Sequence, residues 1–270
     1  MTLGRYNPRL TRLRAIVRGA EPGLTVVDGD KLVVDLAEAG LTILELYLAS
    51  DQASLTTSHP SLRSVVEPGN VWIIPAETAG RIAPTRHGHG VLAVVRRPLS
   101  GIEPVGIVLF LDRIQEPGNV GAAIRAAAAF GASGVVCSAG CADPFSPKAI
   151  RSSAGQSLLL PVAENARIAT VANHFRAAGG AVIGTSASGG VPLAQFRPSL
   201  PLLLVFGNEG QGLLPEVEQE CSELVSIPLA GGVESLNVAA CCAVILASLA
   251  GVVASPILGV NCGGGNDPSP

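Results

Sequence analysis

The sequence predicts an α/β protein: a parallel sheet flanked by helices, preceded by a smaller α/β unit. Three observations carry this. From about residue 105 onward, short apolar runs alternate with helical patterns, the order that builds a parallel sheet with helices on both faces. The first hundred residues alternate less regularly and hold 11 of the 18 Lys and Arg residues. At 270 residues, with 48% hydrophobic and 14% charged, the chain has apolar material for a sizeable core, and its length makes two domains the fair expectation. Aromatics are only 3%, so that core must be mainly Ala, Val, Leu and Ile.

Residues 1–20 read as a basic helical arm, with Leu10, Leu13, Ile16 and Val17 at helical spacing. Leu24–Asp28 and Leu41–Ala49 read as apolar segments around a helix, Asp30–Ala39. Val71–Ile74 and Gly90–Val95 are further strands. Arg96–Pro104 (RRPLSGIEP) is rich in Pro and Gly and reads as the linker, which puts the domains at 1–97 and 105–257 with 98–104 between them.

Gly106–Leu111 (GIVLFL) is a continuous apolar run, as a strand buried on both faces requires. Val120–Phe130 is Ala-rich and helical, ended by Gly131, and Gly134–Ser138 is the next strand. Lys148–Gln156 reads as a short helix, Ala166–Ala178 as a longer one, and Ala181–Thr185, Pro201–Phe206 and Leu224–Pro228 as strands. A helix over Asn237–Ala254 closes the fold, and residues 258–270, rich in Gly, Pro and Asn, read as a disordered tail. Residues 238–260 carry no charge over a length that could span a bilayer, but Ala, Cys, Ser and Gly dominate and Pro256 interrupts, so a buried helix is the better reading.

The net charge of −3 does not by itself suggest nucleic acid. Its distribution does: residues 1–100 hold 11 basic and 9 acidic residues, residues 101–270 hold 7 and 12. Arg5, Arg9, Arg12, Arg14 and Arg18 form one cluster, and Arg81, Arg86, Arg96 and Arg97, with His87 and His89, form another. Such clusters are phosphate-binding candidates, or else solvated faces. The six cysteines form no CxxC and have no histidine at ligand spacing, so no metal is expected. A polar N-terminus without an apolar signal segment and the cysteine usage together suggest a reducing cytoplasm.

Ligands of parallel sheets bind at the carboxyl ends of strands. Three polar, glycine-rich loops fall there: Asp112–Asn119, Gly207–Gly212 and Leu229–Asn237. In the first, Asn119 is a candidate helix cap, and Arg125, alone in an Ala-rich helix, is either a solubilising charge or a cation serving a cleft. In the second, Gly207-Asn208-Glu209-Gly210-Gln211-Gly212 is not the dinucleotide GxGxxG, and no acid stands at the distance a dehydrogenase needs. Its glycines permit close backbone approach to a ligand, and Glu209 has no evident packing role. In the third, Ser235 and Asn237 suit a helix start.

Taken together, NxxxxxR (Asn119–Arg125), FGNEGxGL (Phe206–Leu213) and IPLxGxxxSLNVA (Ile227–Ala239) resemble the three motifs of the SpoU/TrmH family of RNA ribose methyltransferases. Arg151-Ser-Ser-Ala-Gly155 and Leu160-Pro161-Val162 match between them, and the resemblance runs over roughly residues 104–254. Residues 7–95 look more loosely like the ribosomal-protein-like RNA-binding domain that many members carry. The resemblance implies a SPOUT catalytic domain with a C-terminal trefoil knot, a homodimer, and S-adenosylmethionine as cofactor. It implies a reaction at a ribose 2′-hydroxyl, in ribosomal RNA before transfer RNA because of the extra domain. The catalytic set it implies is Asn119, Arg125, Glu209, Ser235 and Asn237, with Gly207, Ile227 and Leu236 at the cofactor and Arg5, Arg9, Arg12, Arg86 and Arg151 at the RNA. Position 239 is Ala where many relatives have Ser. The family's arginine is often described as the base, yet a guanidinium holds its proton strongly, so a cationic clamp and a base both stand as roles for Arg125. A catalytically silent RNA-binding member would lack Arg125 or the third motif, and both are intact.

Overall fold

A computed structural model describes residues 2–84, 90–98, 101–187, 189–208, 210–231 and 233–250. The first unit contains α1 (Pro8–Val17), β1 (Leu24–Asp28), α2 (Asp30–Glu38), β2 (Ile43–Ala49), α3 (Leu55–Ser58), α4 (Pro60–Val65), β3 (Val71–Ile74), α5 (Ala76–Ile82) and β4 (Val91–Arg96). Its sheet runs β1-β4-β2-β3, with only the β2–β3 pair parallel. Asn7 caps α1 by accepting from the Arg9 N–H at 3.0 Å, and Pro8 stands at the first helical position, where its missing N–H costs nothing. The basic arm expected from the sequence is a packed helix. Leu10, Leu13 and Ile16 are buried against Val26, Tyr47, Trp72 and Leu92 of the sheet, since an apolar stripe on a helix needs a partner to leave water.

The second unit contains β5 (Ile107–Leu111), α6 (Pro117–Ala129), β6 (Gly134–Ser138), α7 (Pro147–Ser152), β7 (Val162–Ala166), α8 (Ile168–Ala177), β8 (Ala181–Ser186), β9 (Val191–Pro192), β10 (Leu202–Phe206), α9 (Pro215–Glu218), β11 (Glu223–Ser226) and α10 (Val238–Leu249). All its strand pairs are parallel, in the order β7-β6-β5-β10-β8-β11-β9. Residues of β5, β6 and β10 are buried throughout, as their unbroken apolar runs require. The late strand β10 is inserted between β5 and β8, so chain order and spatial order differ at the centre of the sheet. β5 and β10 lie in register, which sets the loops after Leu111 and Phe206 side by side.

Three expectations change. The helix read from Val120 begins at Pro117, and its cap is Glu116, whose carboxylate accepts from the Gly118 N–H at 3.2 Å; Asn119 lies in the first turn. A carboxylate beside a helix N-terminus is favoured by the helix dipole, and Pro117 sets the first turn. The helix expected over Lys148–Gln156 ends at Ser152, because Ala154 and Gly155 take left-handed backbone before a short 3-10 turn. The linker is anchored from its start: Arg96 belongs to β4, and Arg97 donates its N–H to the Gly23 carbonyl at 2.8 Å.

The two units pack on one another. Arg97 pairs with Asp143 and Glu164 and lies 4.9 Å from the Phe145 ring centre. Thr25 Oγ1 donates to the Phe145 carbonyl at 2.7 Å, and Arg151 pairs with the nearly buried Asp28 at 3.0 Å. A Cβ on Gly155 would lie 2.9 Å from Leu36 Cδ2, so the helix α2 sits directly on the Arg151–Gly155 turn. One contiguous apolar cluster runs through both sheets. Among the described residues no helix is long and apolar enough to cross a membrane. The expected tail, 258–270, lies outside the described residues.

Candidate functional site

A cavity of about 450 Å³ opens at the carboxyl ends of β8, β10 and β11, within the size range of small-molecule sites. Thr185 and Ser186 of β8, the loop after β10 and the segment from Ile227 to Leu236 line it, and Val238, Cys241 and Ile245 of α10 close it. Gly207, Ile227, Ser235 and Leu236, expected from the sequence, all face this one space.

The glycine-rich loop has a defined shape. Asn208 and Gly212 exchange two backbone hydrogen bonds, at 3.1 and 2.7 Å, and Asn208 Oδ1 accepts from the Gly210 N–H at 2.9 Å. A Cβ on Gly207 would lie 2.5 Å from the Gly212 carbonyl oxygen and from the Leu213 nitrogen, so only glycine fits. Glu209 lies outside the described residues.

The described residues between β11 and α10 have no regular secondary structure. Among its described residues, one backbone bond forms within this segment, from the Val233 N–H to the Ala230 carbonyl at 3.3 Å. Among the described residues the backbone groups there make no ladder bonds and can read a ligand's polar edge. Leu224, Ile227, Leu229 and Leu236 supply apolar walls, and Glu218 and Glu234 add carboxylates.

Asn237 joins the first and third motifs. Its Oδ1 accepts from the N–H groups of Ala239 and Ala240 at 3.0 and 3.4 Å, capping α10. Its Nδ2 donates to Asn119 Oδ1 at 3.0 Å. Capping and site-building are therefore the same act: the starts of α6 and α10 are tied by one amide pair. Arg125 is exposed on α6, is not part of the cavity lining, and makes no ion pair with a described residue.

Sequence reasoning did not single out Arg113, which adopts a left-handed φ of 53°. Its guanidinium reaches Asp112 at 3.1 Å and Gln211 Oε1 at 2.9 Å, and its carbonyl accepts from Asn208 Nδ2 at 3.0 Å. It clamps the loop after β5 to the glycine-rich loop. A positive φ on a non-glycine residue costs about 1–3 kcal/mol and is held only where neighbours over-determine it. Thr185, Ser186 and Cys241 were also missed; a β-strand end and an apolar helix carry no local sign that they face a ligand.

The arginines assigned to RNA sit unequally. Arg12 forms a two-point pair with Glu21, at 3.0 and 2.9 Å, and also contacts Glu45, which raises its pKa, chiefly through the Glu21 hydrogen bond. Arg9 lies 4.3 Å from the Trp72 ring centre and 4.0 Å from Glu45. Arg5 is exposed near Tyr6. Arg151 is paired across the two units, and Arg86 lies outside the described residues. Among the described residues no cluster of His, Cys, Asp and Glu is arranged to hold a metal ion.

The comparisons with known proteins agree with this geometry. The sequence profile of the SpoU rRNA Methylase family matches residues 106–247, more than half of the chain. An uncharacterised tRNA/rRNA methyltransferase of Synechocystis is 36% identical over 178 residues, 65% of each protein. Another, of Mycobacterium tuberculosis, is 32% identical over 219 residues, 81% of this chain and 62% of the relative. The chain spans between about half and two thirds of the length of curated relatives such as these, from 46% to 65%. An AdoMet-bound rRNA methyltransferase from Sinorhizobium meliloti superposes with a TM-score of 0.81 at 28% identity, covering 94% of this chain and 99% of that one. The SpoU methyltransferase AviRb from Streptomyces viridochromogenes, in complex with AdoMet, superposes with a TM-score of 0.78 at 28% identity, covering 91% and 98%. On the strength of the family match, the chain belongs to the SpoU rRNA methylase family.

Proposed function

We propose that this protein is an S-adenosylmethionine-dependent RNA methyltransferase that modifies a ribose 2′-hydroxyl, with ribosomal RNA as substrate before transfer RNA. The observation that carries the reading is the convergence of all three loop motifs, with the cavity at the glycine-rich and third loops and the Asn119–Asn237 bond beside it. The cavity's chemistry fits the cofactor: apolar walls and unladdered backbone suit adenine, Gly207 leaves no room for a side chain, and Glu218 and Glu234 suit a cationic ligand. Gly207, Ile227 and Leu236 would hold it. When bound, S-adenosylmethionine supplies an electrophilic methyl group on a positively charged sulfur.

The chain's own residues supply alignment and electrostatics. Asn119 and Asn237 fix the start of α6 against the start of α10. Ser235, at the cavity wall, orients the ribose. Arg125 acts as a charged clamp on the target phosphate and stabilises negative charge developing on the 2′-oxygen, because a guanidinium is a poor base and a strong anion partner. Glu209 orients Arg125. Alignment of this kind lowers a barrier by up to about 7–11 kcal/mol in ideal cases.

The homodimer reading is supported by Arg125 standing outside its own cavity and by an uncharged exposed strip on α10, Ala240, Val244 and Ala247, that suits a second copy. The C-terminal trefoil knot accords with α10 returning to pack on α6 after β11 and with residues 227–236 lying against the glycine-rich loop. Residues 1–97 are the ribosomal-protein-like RNA-binding domain, 98–104 the linker and 105–257 the methyltransferase domain, in a protein of the cytoplasm. Arg5, Arg9, Arg12, Arg86 and Arg151 meet RNA phosphates, with Arg12 and Arg151 exchanging carboxylate partners to do so. Incubating the full chain with S-adenosylmethionine and ribosomal or transfer RNA, then identifying methylated nucleosides by mass spectrometry, tests the reading. A 2′-O-methyl nucleoside from ribosomal RNA is expected; methylation of a base, or of transfer RNA alone, overturns the corresponding part.

A further inference from the structure

A second cleft, of about 240 Å³, opens at the carboxyl ends of β6 and β7, where Arg97, Ser138, Asp143 and Glu164 meet two cysteines, Cys137 and Cys141. Leu111 pairs with Cys137 across β5 and β6, and its carbonyl lies 3.1 Å from Cys141 Sγ, so the two cysteines neighbour the same residue at the wall of one cleft. Cys141 is partly exposed and Cys137 is buried. The Cys141 sulfur also accepts from the Ile114 N–H at 3.3 Å, lies 3.1 Å from the Leu111 carbonyl and 3.8 Å from Ser138 Oγ. Nothing in the proposed methyl transfer uses this pair.

We propose that Cys137 and Cys141 form a reversible oxidation site, closing to an intramolecular disulfide when the protein meets a peroxide. Both cysteines neighbour Leu111 and line one cleft, the outer one opens to a space large enough for a small oxidant, and a buried second thiol stands beside it to resolve the first product. Thiolate character is concentrated on the outer residue. Hydrogen bonds from Cys137, then from the Ile114 N–H and Ser138, bring Cys141 down to about 7 against the opposing effect of burial, while Cys137 is held well above its ordinary value. A low-pKa, accessible cysteine beside a resolving partner is the arrangement that redox-sensing cysteines need.

The chemistry balances. The Cys141 thiolate attacks one peroxide oxygen, the O–O bond breaks, and the departing hydroxide takes a proton to become water. The resulting S–OH is then attacked by the Cys137 sulfur, which gives up its proton, and hydroxide leaves as a second water. Two thiols lose two electrons to the peroxide and one S–S bond forms.

The oxidised pair would act on the methyltransferase site through a short path. Drawing Cys141 onto Cys137 removes the acceptor of the Ile114 N–H, and Ile114 follows Arg113, whose side chain holds Gln211 and Gly212 beside the cavity. Looser seating of that loop lowers cofactor affinity, an effect that rests on the cofactor reading above.

The internal controls are Cys221 and Cys241, both held up at about 11 by burial. The full-length protein is treated with stoichiometric hydrogen peroxide, digested without reductant and mapped by mass spectrometry. The expected result is loss of two hydrogens in the peptide that carries Cys137 and Cys141, reversed by dithiothreitol, with Cys221 and Cys241 still free thiols. Modification of Cys221 or Cys241 at the same rate, or a Cys141 that stays a free thiol, overturns the site. Calorimetry with S-adenosylmethionine on reduced and oxidised protein reads the coupling, expected as a loss of about fivefold or more in affinity. Equal affinities in the two states overturn the coupling, whereas no binding by the reduced protein overturns the cofactor reading and leaves the disulfide result standing. Cys137→Ser, which retains the reactive Cys141, should stop at a sulfenic acid that dimedone traps; a Cys137→Ser protein that dimedone labels no faster than native reduced protein in peroxide also overturns the site.

Discussion

In β2 of the first unit, Glu45 and Tyr47 sit buried within the strand, and Arg12 and Arg9 come across from α1 to meet them. In β5 and β10 of the second unit no polar side chain occurs inside the strands; Asp112 follows β5 at once, and Gly207 and Asn208 follow β10. Within β2 the first unit therefore meets its buried carboxylate with cations of its own. Burial pushes the Tyr47 hydroxyl up, and its bond to Glu45 adds to that. At β10 the second unit keeps its polar groups at the strand end, where Gly207 and Asn208 face the cavity. The lesson is that a basic count does not locate a functional surface. A basic residue tied to a carboxylate is part of the scaffold first.

The largest expected effect comes from the second unit, at Arg125, which makes no ion pair with a described residue. Arg125→Ala should lower methyl transfer by about 10²–10³-fold, the scale of losing one charge-stabilising donor, and leave thermal stability within about 0.5 kcal/mol because the residue is exposed. Kinetics and melting curves on the same preparation check it, and a fall in stability instead would return Arg125 to the scaffold. Arg125→Lys then separates the two roles. A clamp that has lost its planar fork stays slow at every pH, whereas a base recovers as pH rises through the lysine's own pKa. A pH–rate profile at saturating RNA reads the difference.

Gly207→Ala should come next. Its Cβ would lie 2.4–2.5 Å from the Gly212–Leu213 peptide, so the loop must shift. A cost of about 1–3 kcal/mol is expected, seen as weaker S-adenosylmethionine binding in calorimetry. Unchanged affinity would mean that the glycine-rich loop is not the cofactor's seat.

The smallest effect should lie in the first unit. Arg12→Ala leaves Glu45, at 10% side-chain exposure, with Arg9 at 4.0 Å as its remaining ion-pair partner. Water screens the half-exposed guanidinium, so the loss is expected at about 1 kcal/mol in denaturant unfolding, without change in cofactor affinity. A loss of RNA affinity with no loss of stability would reverse the comparison and make Arg12 a phosphate contact first.

Much of this was legible in the chain. Continuous apolar runs announced β5, β6 and β10, and the same reasoning found β1, β3 and β4 to within a residue or two. The edge strand β7 (VAENA) escaped because its exposed half is polar, and β9 is too short to carry a pattern. The loops after the apolar strands stand out by their Gly, Asn and Ser, but it is the family resemblance that singles out Gly207, Ile227, Ser235 and Leu236 within or beside them, and all four line the cavity. The clamp at Arg113 was not, because an Asp-Arg pair after a strand looks like any solvated turn.

By itself, then, the sequence determined the strand and helix periods, the apolar faces and the loops in which chemistry is placed, since a period of 2 or 3.6 is a property of neighbours along the chain. Only the tertiary structure decided that β10 enters between β5 and β8, that Asn119 meets Asn237 118 residues away, and that Arg12 answers to Glu45 rather than to solvent. Those outcomes are partner choices between distant residues. They are set by which faces bury together and which charges must be matched once water is gone, and local pattern carries no record of either.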